Sequence, residues 1–187
     1  MIGAHSKALL FWLSQKALFI PDGVGISLLL FFRYFLWVPR YPGIDLVDDI
    51  LMNMEGRSLA LIGATPDALS GAITYIRTSY PTHAICFQKD GFSKMTEDDY
   101  VRLSDAKPDL ILVAMGCPLQ ESVIWEMSNY LESGVAIGVG GTFDVWSGQK
   151  KRAPQWVQMM GLEWVYRLSN EPKRLGRFMT SFVRLFR

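Results

Sequence analysis

Cysteine and histidine are scarce in this chain of 187 residues, with two of each. Cys86 and Cys117 form no C-x-x-C pair and are too few for a disulfide framework, which favours a reducing compartment. His5 and His83 stand far apart, so no zinc site is spelled out. None of the aspartates lies two positions from another, so a D-x-D pair for a metal ion is missing. The most apolar run, Ile26–Val38, is shorter than the ~20 residues of a membrane span and is interrupted by Arg33. No apolar stretch is followed by an A-x-A-like cleavage site, so there is no signal-peptide pattern. The expectation is a cytoplasmic protein that associates with a membrane.

Charge of one sign is also lacking overall, since the formal net charge is +1, but it is unevenly spread. Residues 150–187 hold nine Lys and Arg against only Glu163 and Glu171, while residues 1–149 hold ten against sixteen acids. A basic end on a near-neutral chain points to an anionic surface or ligand there. No nucleic-acid-binding motif accompanies it, and nucleic acid is not expected as a partner. Half the residues are hydrophobic, which excludes disorder. A mean hydropathy of +0.16 with 13% aromatics implies apolar surface that meets lipid or a partner.

From residue 57 the chain alternates. Ser58–Ala64, His83–Gln88, Asp109–Met115 and Val135–Val139 read as strands. Pro66–Ser79, Thr96–Ser104 and Pro118–Ser133 read as helices between them. Continuous apolar strands mean that both faces are covered, hence an α/β fold with a Rossmann-like, mostly parallel sheet flanked by helices. Upstream, Ser6–Gln15 reads as a helix, Ala17–Ile20 as a short strand and Gly25–Trp37 as an apolar helix. Downstream, Ala153–Gly161, Leu162–Ser169 and Glu171–Arg187 read as helices. The last places Leu175, Phe178, Met179, Phe182, Val183 and Phe186 on one stripe flanked by arginines. This form suits an interfacial helix on anionic lipid; a helix packed on a core or partner has the same period. The expected organisation is an α/β domain over 1–150 and a basic, helical, membrane-associating appendage over 151–187.

In open α/β sheets ligands bind at the carboxyl ends of the strands, so the polar residues there are the candidates. Asp22 sits at a glycine-flanked turn before a helix, where an Asp-Gly pair is a common turn and cap and where a carboxylate also suits a general base. Gln120 and Glu121 lie in the first turn of a helix, where exposed N–H groups favour an anion such as phosphate; a capped helix with an acid that suits its dipole reads the same way. Gly140 and Gly141 allow close backbone approach, and Asp144 suits a ribose or base contact. As a nicotinamide fingerprint, Gly138-Val139-Gly140 fails because position 143 is Phe. The arginines of the basic end suit a diphosphate or a merely solvated face.

Taken together, several segments resemble the WecG/TagA/CpsF family of glycosyltransferases, glycosyltransferase family 26. They are Ile20-Pro21-Asp22-Gly23-Val24-Gly25, Arg40-Tyr41-Pro42-Gly43-Ile44-Asp45, Val113 to Glu121, and Gly138-Val139-Gly140-Gly141-Thr142-Phe143-Asp144. Gly148, Lys151-Arg152-Ala153-Pro154, Gly161 to Leu168 and Glu171-Pro172-Lys173-Arg174 continue the match. The resemblance implies an inverting, metal-independent transfer without a cofactor. An N-acetylmannosamine-type sugar would pass from a UDP-sugar donor to an undecaprenyl-diphosphate-linked acceptor in teichoic acid, exopolysaccharide or capsule synthesis.

On the matching positions, the resemblance makes Asp22, beside Gly23, the base for the acceptor hydroxyl, and Arg40 a substrate-phosphate contact. It makes Gln120 and Asp144 donor-site contacts, with Gly140 and Gly141 allowing close approach and Glu121 beside them a further substrate-binding candidate, and Arg167, Arg174 and Arg177 arginines that complete the site at the membrane. It leaves a homo-oligomer open. The family's Thr-x-Asn strand has no counterpart in Met1-Ile2-Gly3-Ala4-His5-Ser6, so a missing first strand and pocket wall are expected. The alternative reading is a non-catalytic homologue that binds UDP-sugar or lipid, or scaffolds other polysaccharide enzymes.

Overall fold

The computed structural model describes residues 9, 11–22, 24–160, 162, 163, 165 and 166. Their order is α1 (11–16), α2 (Val24–Tyr34), α3 (Gly43–Asn53), β1 (Ser58–Gly63), α4 (Pro66–Ser79) and β2 (Ala84–Lys89). Next come α5 (Glu97–Asp105), β3 (Leu110–Ala114), α6 (Leu119–Met127), β4 (Val135–Gly138), α7 (Thr142–Trp146) and α8 (Gln155–Met159). The C-terminal helix expected over 171–187 lies outside the described residues.

Two compact units emerge, one from residues 1–20 with 41–150, the other from residues 21–40 with 151–187. The first carries the sheet. Its strands run in the order β2-β1-β3-β4, all parallel, as expected of an α/β fold.

Side chains alternate across each strand and sort into two cores. Leu59, Leu61, Leu110 and Leu112 face one way, where Ile44, Val47 and Leu51 of α3, Leu69, Ala72 and Ile76 of α4, and Phe143 and Trp146 of α7 cover them. Ala60, Ile62, Ile111 and Val113 face the other way, onto Tyr100 and Leu103 of α5 and Val123 and Met127 of α6. β1 and β3 are therefore buried on both faces, which is why they read as unbroken apolar runs.

The helix starts obey local chemistry. The Thr65 hydroxyl accepts from the Ala68 N–H at 3.1 Å, with Pro66 in the first helical position of α4. Thr96 and Asp99 form a reciprocal capping box on α5.

Three readings of the sequence need amendment. Ala17–Ile20 is not a strand: it pairs with none of the four strands, and Leu18 is 87% exposed. Four apolar residues without a ladder partner have no backbone hydrogen bonds to hold them extended. The helix expected over Pro118–Ser133 ends at Met127, where the Ser128 hydroxyl bonds the Trp125 carbonyl and the chain turns. The stretch Gly43–Asn53 is helical, burying Ile44, Val47 and Leu51 at a helical period.

The capping box also sets an acid sensitivity. Hydrogen bonds from the Thr96 N–H, at 3.0 Å, and from Lys89, at 2.9 Å, hold the Asp99 carboxyl down from 3.8 to about 2. A depressed carboxylate contributes stability that is present above its unfolded value and lost as pH falls through the folded one. Denaturant unfolding should therefore show stability falling between about pH 4 and pH 2. In Asp99→Asn that part of the fall should flatten, at a cost of about 1 kcal/mol at neutral pH. Parallel acid profiles in the two proteins would remove Asp99 from this role.

Candidate active site

β1 and β3 are neighbours in the sheet, and the chain winds outward from them in opposite directions. The crevice beyond their carboxyl ends is the topological switch point at which such sheets bind ligands. The backbone there is closely stitched. The Ala64 N–H donates to the Ala114 carbonyl at 2.8 Å, and the Gly91 N–H to the Ala64 carbonyl at 2.8 Å. Gly63 has φ 113, and a Cβ on it would lie 2.4 Å from the Ala114 carbonyl oxygen, so no side chain fits.

Beyond β3 the chain passes Gly116, with φ 73, and Cys117 into α6. Beyond β4 it passes Gly140, with φ 54, into α7. Gln120 ties the two turns together. Its side-chain oxygen accepts from the Gly140 N–H at 3.1 Å, and its amide donates to Glu121 Oε1 at 3.0 Å. Gly138 leaves the room for this, since a Cβ there would come within 2.6 Å of Gln120 Nε2.

Gln120 thus belongs to the strand-end turns as the sequence expects, and both its polar ends are already engaged. Glu121 is half-buried, and burial together with the nearby Glu121 charge pushes the Cys117 thiol up. Unlike α4 and α5, α6 has no side-chain cap; the Gln120 N–H donates to the Gly116 carbonyl at 3.0 Å, and the Leu119 and Glu121 N–H groups lie in the same first turn. Such a helix start favours an anion.

Asp144, in the first turn of α7, is half-buried and lies beside Gly141. Its carboxylate pairs with the Lys150 ammonium at 2.6 Å. Gly148, with φ 75, turns the chain back so that the Lys150 N–H also meets the Asp144 carbonyl at 2.9 Å. The sequence reading missed Lys150 as a partner, although the Ser147-Gly148 turn was the available signal. In one unit the structure therefore gathers Gln120, Glu121, Gly140, Gly141 and Asp144 at the ends of β3 and β4.

The second unit is described by itself. Asp22 is exposed at the turn before α2. Arg40 is engaged within the unit: Nη1 donates to Glu163 Oε2 at 3.2 Å and Nη2 to the Gln158 carbonyl at 2.6 Å. Glu163 is buried, so this pair joins two segments far apart in the chain. Of the remaining expected site residues, Gly23, Arg167, Arg174 and Arg177 lie outside the described residues.

His83 is absorbed by packing. Its Nδ1 accepts from the Arg57 N–H at 3.2 Å, and its Nε2 lies 2.9 Å from the Leu51 carbonyl, to which it donates. Among the described residues no group of three or more His, Cys, Asp or Glu is placed to hold a metal ion. None of the described helices is long and apolar enough to cross a membrane.

The Gln120 brace yields a direct test. Gln120→Ala releases the Gly140 N–H and should lower stability by about 1 kcal/mol in chemical denaturation, the usual net worth of one such hydrogen bond. An unchanged midpoint would show that the turn after β4 holds itself.

Comparison with known proteins supplies the last observation. The chain is 33% identical over 170 residues to an N-acetylglucosaminyldiphosphoundecaprenol N-acetyl-beta-D-mannosaminyltransferase of Bacillus subtilis (strain 168). The match covers 90% of this chain and 66% of that protein. It is also 33% identical over 174 residues to a protein of the same name from Staphylococcus aureus (strain MW2), covering 91% of the chain and 68% of the relative. The chain thus spans about two thirds of the length of these curated relatives. The profile of the glycosyl transferase WecG/TagA/CpsF family matches residues 1–187. Together with the parallel sheet and its strand-end residues, this shows that the chain belongs to the WecG/TagA/CpsF family of glycosyltransferases.

Proposed function

We propose that the protein transfers an N-acetylmannosamine-type sugar from a UDP-sugar to the N-acetylglucosamine of a polyprenyl-diphosphate-linked acceptor, at the inner face of the membrane. The observation that carries this reading is its likeness, over nine tenths of the chain, to relatives named for that acceptor and that sugar. The strand-end turns of the first unit add support, because an uncapped helix start and two glycines suit a nucleotide diphosphate.

In this reading Gln120, Glu121, Gly140, Gly141 and Asp144 form the donor site. Gln120 acts there chiefly by fixing the Gly140 turn, and Asp144 takes the ribose or base. Asp22 accepts the proton of the acceptor hydroxyl as its oxygen attacks the anomeric carbon. The bond to UDP breaks with its electron pair, and the anomeric configuration inverts. A carboxylate within hydrogen-bond reach of that hydroxyl can do this work.

Charge on the departing UDP is met by helix N–H groups and by arginines, Arg167, Arg174 and Arg177 among them, without a metal ion. Arg40 contacts a substrate phosphate only after exchanging its Glu163 partner. Residues 151–187 form the basic appendage, and its segment 171–187 binds anionic lipid.

Transfer from a panel of UDP-sugars to a short-chain lipid-diphosphate-GlcNAc tests the reading. One donor should give product, with no loss in EDTA, and Asp22→Asn should cut the rate by about 10²-fold or more while leaving UDP binding intact. Undiminished transfer in Asp22→Asn would remove it as the base. No product from any donor, with UDP still bound, would favour a binding-only homologue. Deleting residues 171–187 should weaken binding to anionic vesicles; unchanged binding would return that segment to a packed helix.

A further inference from the structure

The second unit carries a surface that the proposed chemistry does not use. From Phe31 to Trp37 seven consecutive residues, Phe-Phe-Arg-Tyr-Phe-Leu-Trp, are all exposed. Phe32 is 76% exposed, Phe35 88% and Trp37 59%. A helix end packed on a core would bury one side of such a run. Here α2 closes through Phe35, whose N–H bonds the Phe31 carbonyl at 2.8 Å and whose φ is 54. A bulky aromatic residue is sterically disfavoured in that left-handed region, so local preference does not select this exit.

The rings form a cluster rather than a scatter. Phe31 meets Phe32 edge-on at 5.6 Å and Trp37 at 6.2 Å. The Arg33 guanidinium lies 5.5 Å from the centre of the Tyr34 ring. Aromatic side chains bury roughly 150–250 Å² each, so this cluster reaches the few hundred Å² at which an exposed patch marks a contact site.

We propose that the Phe31–Trp37 cluster inserts into the interfacial layer of an anionic lipid bilayer, as a second membrane contact besides the basic C-terminal segment; this rests on the reading that the protein works at a membrane. The composition fits that layer: Trp and Tyr have an apolar body and a polar edge, and Arg33 can reach headgroups from among the rings. The run is too short to span, so it lies in the interface. Charge favours lipid over a second copy of the chain. The same unit bears Lys151 and Arg152 and continues into the basic residues 167–187, which complement anionic headgroups. A symmetric dimer through the cluster would instead set Arg33 against its own equivalent. Lasting peripheral attachment generally takes two weak signals, and an aromatic wedge together with a basic segment supplies them.

The test compares the full-length chain with Phe32→Ser/Phe35→Ser/Trp37→Ser on phosphatidylglycerol–phosphatidylcholine vesicles. The triple variant should melt like the parent, because the side chains are exposed, yet bind at least roughly tenfold more weakly. Raising salt screens the basic residues, so the parent should keep a residual binding that the variant lacks. A conservative variant, Phe32→Leu/Phe35→Leu/Trp37→Phe, should retain it.

Equal vesicle binding by parent and triple variant would overturn the proposal. So would a variant that keeps its vesicle affinity but shifts from a self-associated species to a monomer in light scattering, which would assign the cluster to a contact between copies. The vesicles contain no polyprenyl acceptor and no donor, so binding is read apart from transfer. A parent chain that binds vesicles but transfers no sugar would count against the catalytic reading alone.

Discussion

The pairing of β1 with β3 is the constraint on which the rest of the first unit depends. Both strands are buried on both faces, and each end of the pair is fixed by a separate device. At the amino ends the Ser58 N–H and hydroxyl donate to the Asp109 carboxylate at 2.8 Å, and the Asp109 N–H returns to the Ser58 backbone at 2.9 Å. At the carboxyl ends the Ala64 N–H reaches the Ala114 carbonyl across a gap that admits only glycine at position 63. A one-residue slip would carry Leu59 and Leu61 to the wrong core, so register and layer assignment are one decision. With this pair fixed, the turns after β1 and β3, and the turn after β4 beside them, all open at the same end of the sheet.

The carboxyl end of the sheet is built with few side chains. Gln120 spans from α6 to the turn after β4, Gly138 makes room for it, and the Gly140 backbone takes its left-handed turn under that restraint. Asp144 is fixed by Lys150 through a second left-handed glycine at 148. These contacts fix the two glycine turns and the Asp144 carboxylate, so the strand-end turns are ordered by the protein's own hydrogen bonds. In the second unit the half-buried Arg40 pairs with the buried Glu163, joining the segment after Asp22 to the Leu162-Glu163 stretch.

Much of this was legible in the sequence, for physical reasons. β1 and β3 are continuous apolar runs because both faces are covered, and α4 and α5 announce themselves by Thr65-Pro66 and by Thr96 with Asp99. The strand-end positions of Gln120, Gly140 and Asp144 were set by the alternation of strands and helices. Ala17–Ile20 misled because four apolar residues look the same whether they pair in a sheet or lie exposed. α3 was passed over although Ile44, Val47 and Leu51 show its period, and α7 has only five residues, too few to show one. The Arg40–Glu163 and Gln120–Gly140 contacts are non-local, and no spacing rule carries them. The grouping of residues 21–40 with the C-terminal segment was hidden for the same reason.

The central claim is that the turns after β3 and β4 hold the nucleotide diphosphate. Titrating the ¹⁵N-labelled chain with UDP and monitoring each backbone amide tests it most directly. Saturable shifts should concentrate at residues 116–121 and 138–144, with Gly140 and the first-turn amides of α6 among the largest. Saturable shifts that leave these two stretches unmoved and gather elsewhere on the chain would contradict it.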